Sequence, residues 1–219
     1  MIDRIVHFPI FKLAEFSMAT EIRKTGIINE FLYPKHPLRA YHTKAKNCII
    51  QCLENFYDMS IIDKGLNYVT KTVYKKYWEK ENSIKSLENF KNSILPFGDN
   101  FTFEKNENRK DIEVNGHSIY VNPEMIIKDI RDGIIYLGAI KIHISKTTQD
   151  KIDFDFCRTI VFEYLKSIAK DGEKVDFKMI YFYTPLNNKW NNSNSMLHTQ
   201  IIENTIDEFY SYLNKLSAA

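Results

Sequence analysis

Glycine is scarce in this chain, with 7 in 219 residues. No GxGxxG, GxxxxGK[ST] or GxSxG stretch occurs. The phosphate-cradling turns of dinucleotide-binding folds and P-loops therefore have no counterpart, nor has the nucleophile elbow of hydrolases. Cysteine is scarcer still. Cys48, Cys52 and Cys157 form an odd set without CxxC spacing, which argues against a secreted disulfide scaffold and a zinc ribbon. No run approaches the ~18 consecutive apolar residues of a membrane span. The N-terminal stretch MIDRIVHFPIFKLAEF breaks its apolar residues with Asp3, Arg4, His7 and Pro9, unlike a signal peptide. The expectation is a soluble, cytoplasmic protein with no membrane partner. An excess of one charge is also missing, since 30 Lys and Arg face 28 Asp and Glu. Residues 1–100 carry 15 basic and 11 acidic side chains, and the remainder 15 and 17. An ordinary solvated surface explains that mild asymmetry at least as well as a polyanion partner does.

What is present is a core-forming composition: 44% hydrophobic residues, including 15 Phe, 13 Tyr and 2 Trp. A chain of this length suits one domain and can bury roughly 70% of its unfolded surface. Helical spacing of apolar residues is found from Lys44 to Tyr57, through Cys48, Ile49, Cys52, Leu53 and Phe56. Cys48 and Cys52 fall on one face of that helix and read as buried thiols. A second helix is expected on Ile62, Leu66, Val69, Val73 and Tyr77, with Lys64, Lys71 and Lys75 on its other face. A third is expected to begin after Asn82 or Ser83 and to end before Pro96. The pattern then changes to period two. Asp111–Val114 and Ser118–Val121 flank Asn115-Gly116, and Met125–Ile130 and Ile134–Ile144 flank Asp132-Gly133. Both dipeptides favour two-residue hairpin turns. Ile140, Ile142 and Ile144 alternate with Lys141, His143 and Ser145, so the two sets take opposite strand faces. Three antiparallel strands in sequence among these predict a meander. A helix over about Asp153–Lys170, an aromatic strand over Val175–Tyr183 and a final helix over about Leu197–Leu216 follow. Residues 1–43 read as an N-terminal extension, and 44–219 as a single α/β (α+β) domain.

That order, with Pro123-Glu124 and, fifteen positions after Glu124, Ala139-Ile140-Lys141, resembles the core of the PD-(D/E)XK nuclease superfamily. The stretch that carries the resemblance is VNPEMIIKDIRDGIIYLGAIKIHIS. It implies a restriction-endonuclease-like core, a meander plus a further strand flanked by helices. It also implies a metal-dependent DNA nuclease, of a restriction or phage-defence system. In such a site acidic side chains hold Mg²⁺, which stabilises charge on the phosphoryl transition state and activates a water. Carried over residue by residue, Glu124 is the metal-binding acid, Lys141 the lysine beside the attacking water, and Glu54 a candidate acid from a preceding helix.

Position 139 departs from the pattern, because alanine cannot ligate a metal. Three readings stay open: an acid replaced to inactivate the enzyme, a natural relative that keeps the fold for nucleic-acid binding or assembly, or an acid moved elsewhere, for example to Glu163. As written the site would be inactive, and Mg²⁺ is expected only where the site is complete. Arg39, His42, Lys44 and Lys46 mix basic and aromatic-flanked positions and are candidate DNA contacts, as is His143, two beyond Lys141 on the same face. Each also has a plainer reading as a solvated or packed side chain. A protein partner or a second copy of the chain is the other partner class.

Overall fold

The computed structural model describes residues 9–33, 42–74, 77–98, 100–108, 110–144, 153–192 and 195–217. Among these residues there are seven α-helices: α1 (Ile10–Ser17), α2 (Glu21–Leu32), α3 (Thr43–Glu54), α4 (Met59–Lys71), α5 (Tyr77–Lys91), α6 (Phe154–Ile168) and α7 (Thr199–Ser217). The strands are β1 (Thr102–Lys105), β2 (Lys110–Val114), β3 (His117–Val121), β4 (Met125–Arg131), β5 (Ile134–Ile142), β6 (Lys174–Thr184) and β7 (Lys189–Asn191). The fold is mixed α/β. Among the described residues, no helix is long and apolar enough to cross a membrane.

Five strands form one mixed sheet in the order β1-β4-β5-β6-β7, and β2 and β3 form a separate two-stranded sheet. The β4–β5 hairpin turns on Asp132 and Gly133, at φ 50° and 76°, and the β2–β3 hairpin on Asn115 and Gly116, at the same two values. Positive φ at both central positions is what the Asp-Gly and Asn-Gly dipeptides predict. β5 and β6 run parallel, which requires a crossover, and α6 supplies it. Asp153 caps α6, its carboxylate accepting from the Phe156 amide at 2.9 Å.

The sheet is buried on both sides. Ile126, Leu137 and Ala139 enter a core cluster with residues of α1, α2, α6 and α7. Met125, Ile127, Ile140 and Ile142 enter a second cluster with α3, α4 and α5. Two covered faces explain why IIYLGAIKI reads as an almost unbroken apolar run. The α1 and α2 helices, from the stretch read as an N-terminal extension, bury Ile10, Leu13, Ala14, Phe16, Ile27 and Ile28 in the first cluster.

Two expectations are corrected. The meander of the main sheet is β1, β4 and β5 rather than the three strands predicted, since β2 and β3 pair only with each other there. β1 was missed because TFEK buries a single side chain, Phe103, and so shows no period. The second predicted helix continues only to Lys71. Thr72 and Val73, just past the helix, are both β-branched, which disfavours its continuation. Thr72 Oγ1 closes the end on the Tyr68 carbonyl at 2.8 Å, and Val73 is left 95% exposed. Lys64 and Lys71 face solvent, and Lys75 lies outside the described residues.

Candidate functional site

Glu124 is fixed by its backbone before its side chain does anything. Its amide donates to Ile140 O and its carbonyl accepts from the Asn106 amide, both at 2.9 Å. It thereby extends the β4–β5 ladder by one residue and joins it to the end of β1. Pro123, which has no amide hydrogen, fits just ahead of the strand. On β5, Lys141 points to the same face, so the two side chains meet with Lys141 Nζ 3.0 Å from Glu124 Oε1. Lys46 reaches the same oxygen from α3. Oε2 accepts from the Ile142 amide at 2.6 Å. Lys141 also donates to the Asn122 carbonyl.

The Glu124 side chain is only 8% exposed, against 15% for Lys141 and 32% for Lys46. Burial alone would raise its carboxyl. The charges of Lys141 and Lys46, with hydrogen bonds from Lys46 and the Ile142 amide, outweigh burial and hold it below the ordinary carboxylate value. Two residues past Lys141, His143 packs its ring against Phe11 of α1, centroids 4.0 Å apart. Its Nε2 is enclosed without a hydrogen-bond partner among the described residues. Burial, with Lys141 and Lys46 nearby, pushes its imidazole down to about 4, so it is neutral at physiological pH. Phe11, Lys46, Tyr120, Asn122, Lys141 and His143 line a cavity of about 370 Å³.

Ala139 lies two residues before Lys141, opposite Ile126 on β4 and Ile180 on β6, and is fully buried. The residues present do not fit Mg²⁺. Glu124 is the one carboxylate on this wall among the described residues, both its oxygens already accept hydrogen bonds, and position 139 offers a methyl group. No set of three or more His, Cys, Asp or Glu side chains suited to a metal gathers among the described residues. Glu163 does not replace the missing acid. It pairs with Lys166 at 2.9 Å and lines a different cavity, between β2, α6 and α7.

The other predicted residues divide. Glu54 ends α3 and accepts from the Lys105 amide of β1 at 3.1 Å, so its carboxylate serves the sheet edge. His42, in the left-handed region at φ 69°, holds Ser83 Oγ of α5 through Nδ1 at 3.2 Å. Lys44 lies over the Tyr68 ring, 4.4 Å from its centroid. Arg39 lies outside the described residues. Of the basic cluster, then, Lys46 joins Glu124, while the described contacts of His42 and Lys44 are with α4 and α5.

Sequence reasoning missed Asn106 and Tyr164, which hold the site from behind. Asn106 Nδ2 donates to Pro123 O at 3.0 Å and to Tyr164 Oη at 2.9 Å, and Tyr164 Oη donates to Asn108 O at 2.6 Å. Asn106 sits in a polar loop with no periodicity, and Tyr164 reads as one more core residue of α6, so neither carried a signal.

No protein-family model and no curated protein matches the chain. Among solved structures it is similar to one described as the crystal structure of SSO0001, at 17% identity over 87% of this chain and 84% of that one, with a TM-score of 0.33. That likeness is too loose to carry an assignment of fold or activity.

Proposed function

We propose that the chain is a DNA-binding protein with a PD-(D/E)XK nuclease-like core, whose hydrolytic site stops one acid short at Ala139. One observation carries the reading. Glu124 and Lys141 meet at 3.0 Å on adjacent strands, with position 139 on the same face as both. An antiparallel β1-β4-β5 set followed by α6 and a further strand, β6, supports the reading. On this reading the β2–β3 hairpin is an insertion between the first and second core strands.

With Ala139 in place, the chain's own residues bind but do not cut. Lys141 and Lys46 supply positive charge for a phosphate, Glu124 orients both ammonium groups, and among the described residues no set of groups beside them holds a metal-bound water. An acid at 139 would add the second oxygen donor beside Glu124 that a hard cation needs. The test is Ala139→Glu and Ala139→Asp, assayed for cleavage of plasmid and single-stranded DNA with Mg²⁺ or Mn²⁺, their folding checked by circular dichroism because the site is fully buried. Cleavage that appears in either variant and disappears on adding Lys141→Ala is the expected result. Folded variants that remain silent overturn the nuclease-like reading. Unchanged DNA binding by those silent variants would favour the second reading, a non-catalytic binding or assembly subunit. The three hydrogen-bonding groups already on Glu124 give that alternative its support.

A further inference from the structure

Glu124 carries two ammonium groups where a hydrolytic site of this kind would carry a divalent cation. Lys46 comes to it from α3 and Lys141 from β5, both at Oε1. Among the described residues, two cations against one carboxylate leave one net positive charge on this wall. An ammonium has three N–H donors. Lys141 directs two of them to Glu124 and Asn122 O, and Lys46 meets Glu124 with one. Beside them, His143 Nε2 is enclosed and has no partner among the described residues. All three side chains line the same cavity of about 370 Å³, which Pro9, Ile10 and Phe11 also line. That space is larger than one phosphate group needs, and its apolar wall suits a sugar or base attached to it.

We propose that this cavity is a metal-independent site for one phosphodiester group of a nucleic-acid strand. Lys46 and Lys141 donate to its non-bridging oxygens, and the His143 ring lines the site beside them. The Lys46 ammonium takes the electrostatic place of a metal ion, and the single net positive charge matches the single negative charge of a diester. The carrier of the phosphate, a nucleic-acid strand, rests on the DNA-binding reading above. The site itself does not depend on hydrolysis.

The test is fluorescence anisotropy with a labelled single-stranded and a labelled double-stranded oligodeoxynucleotide, in EDTA and in Mg²⁺. At least one probe is expected to bind in EDTA with an affinity within about twofold of that in Mg²⁺. Lys46→Gln and Lys141→Gln are each expected to weaken binding roughly tenfold, the loss of one charge-assisted hydrogen bond. Each should also lower the salt slope by about one. Lys46→Arg should retain binding. Lys215→Gln, in the last turn of α7 and not among the residues lining the cavity, is the charge control and should change nothing. Melting curves of each variant separate lost binding from lost fold, and the Arg variant keeps the proposal testable where the Gln variant unfolds. Binding that vanishes in EDTA overturns the proposal, as does absence of binding in the unaltered chain, or a folded Lys46→Gln variant with unchanged affinity and slope. Inorganic phosphate that competes at the oligonucleotide's own phosphate concentration overturns the assignment to a strand. A silent Ala139→Glu variant removes hydrolysis without touching this result, and metal-dependent binding removes this result without touching hydrolysis.

Discussion

Gly138 faces Met179 across the β5–β6 pair so closely that a Cβ on Gly138 would stand 2.3 Å from the Met179 carbonyl oxygen. The approach belongs to a break in register. Leu137 pairs with Val175 and Ala139 with Ile180, so β6 holds extra residues where β5 holds only Gly138. This bulge sets the register of Ala139 and Lys141 against β6. Because the obstacle is backbone, no rotamer change relieves it. Gly138→Ala is expected to destabilise the fold by about 1–3 kcal/mol, the range for overpacking a close-packed interior. Urea denaturation with both folded baselines measured checks this, and an unchanged midpoint would mean that β5 and β6 do not approach in this way.

The Asn106–Tyr164 pair offers a second, more local test. Tyr164 is fully buried, and its hydroxyl both accepts from Asn106 and donates to Asn108 O. Tyr164→Phe keeps the ring and removes only that link, leaving Asn108 O without this donor. A cost of about 1–3 kcal/mol is expected. Asn106→Ala should cost more, because it also releases Pro123 O, the carbonyl immediately before Glu124. Thermal melts of the two variants rank them. The reverse order would place the support of Glu124 elsewhere.

Stability should fall in acid partly through α1. Burial alone would raise the Glu15 carboxyl, but Lys12 at 2.7 Å and Arg23 Nε at 3.1 Å outweigh it and hold it below its ordinary 4.5. A carboxyl depressed in the folded state contributes stability that is present above its unfolded value and lost as pH falls through the folded value. Glu15→Gln should therefore be less stable than the unaltered chain at about pH 6, and the gap should close below pH 4.5. Urea midpoints across that range test the sign. A gap that widens in acid would contradict it.

The legible parts of the sequence were those where local pattern and tertiary burial agree. α3, α6 and α7 follow apolar stripes that the core uses, as with Ile202, Ile206, Phe209 and Leu213 of α7. The two hairpins follow from Asn-Gly and Asp-Gly. The alternation along β5 also put Lys141 and His143 on one face, but α1 and α6 cover that face, and period two does not distinguish a covered polar face from a solvated one. The assembly of the sheet was illegible. The β2–β3 hairpin has the same local signature as β4–β5, and only long-range packing decides that one joins the sheet and the other does not. The pairing of Lys46 with Glu124, 78 positions apart in the chain, has no local trace at all.

The Glu124–Lys141 pair should show strong coupling in a double-mutant cycle. Lys141→Met leaves a carboxylate that is 8% exposed with Lys46 and one amide. Breaking one partner of a buried pair typically costs about 3–5 kcal/mol, and Lys46 should keep the loss toward the lower end. Glu124→Gln leaves two ammonium groups facing each other without the charge that holds them. The double variant removes the carboxylate and the Lys141 ammonium together and leaves only Lys46 without its partner, so its cost should fall short of the sum of the singles by about 1–3 kcal/mol, the range for residues in direct contact. Adding Lys46→Met to the cycle separates the two lysines. If Lys46 shares the carboxylate as the structure has it, the Glu124–Lys141 coupling grows once Lys46 is gone, because Lys141 then faces the buried charge alone. Additive singles, measured by urea denaturation at neutral pH, would mean that the carboxylate and the two ammonium groups do not form one cluster.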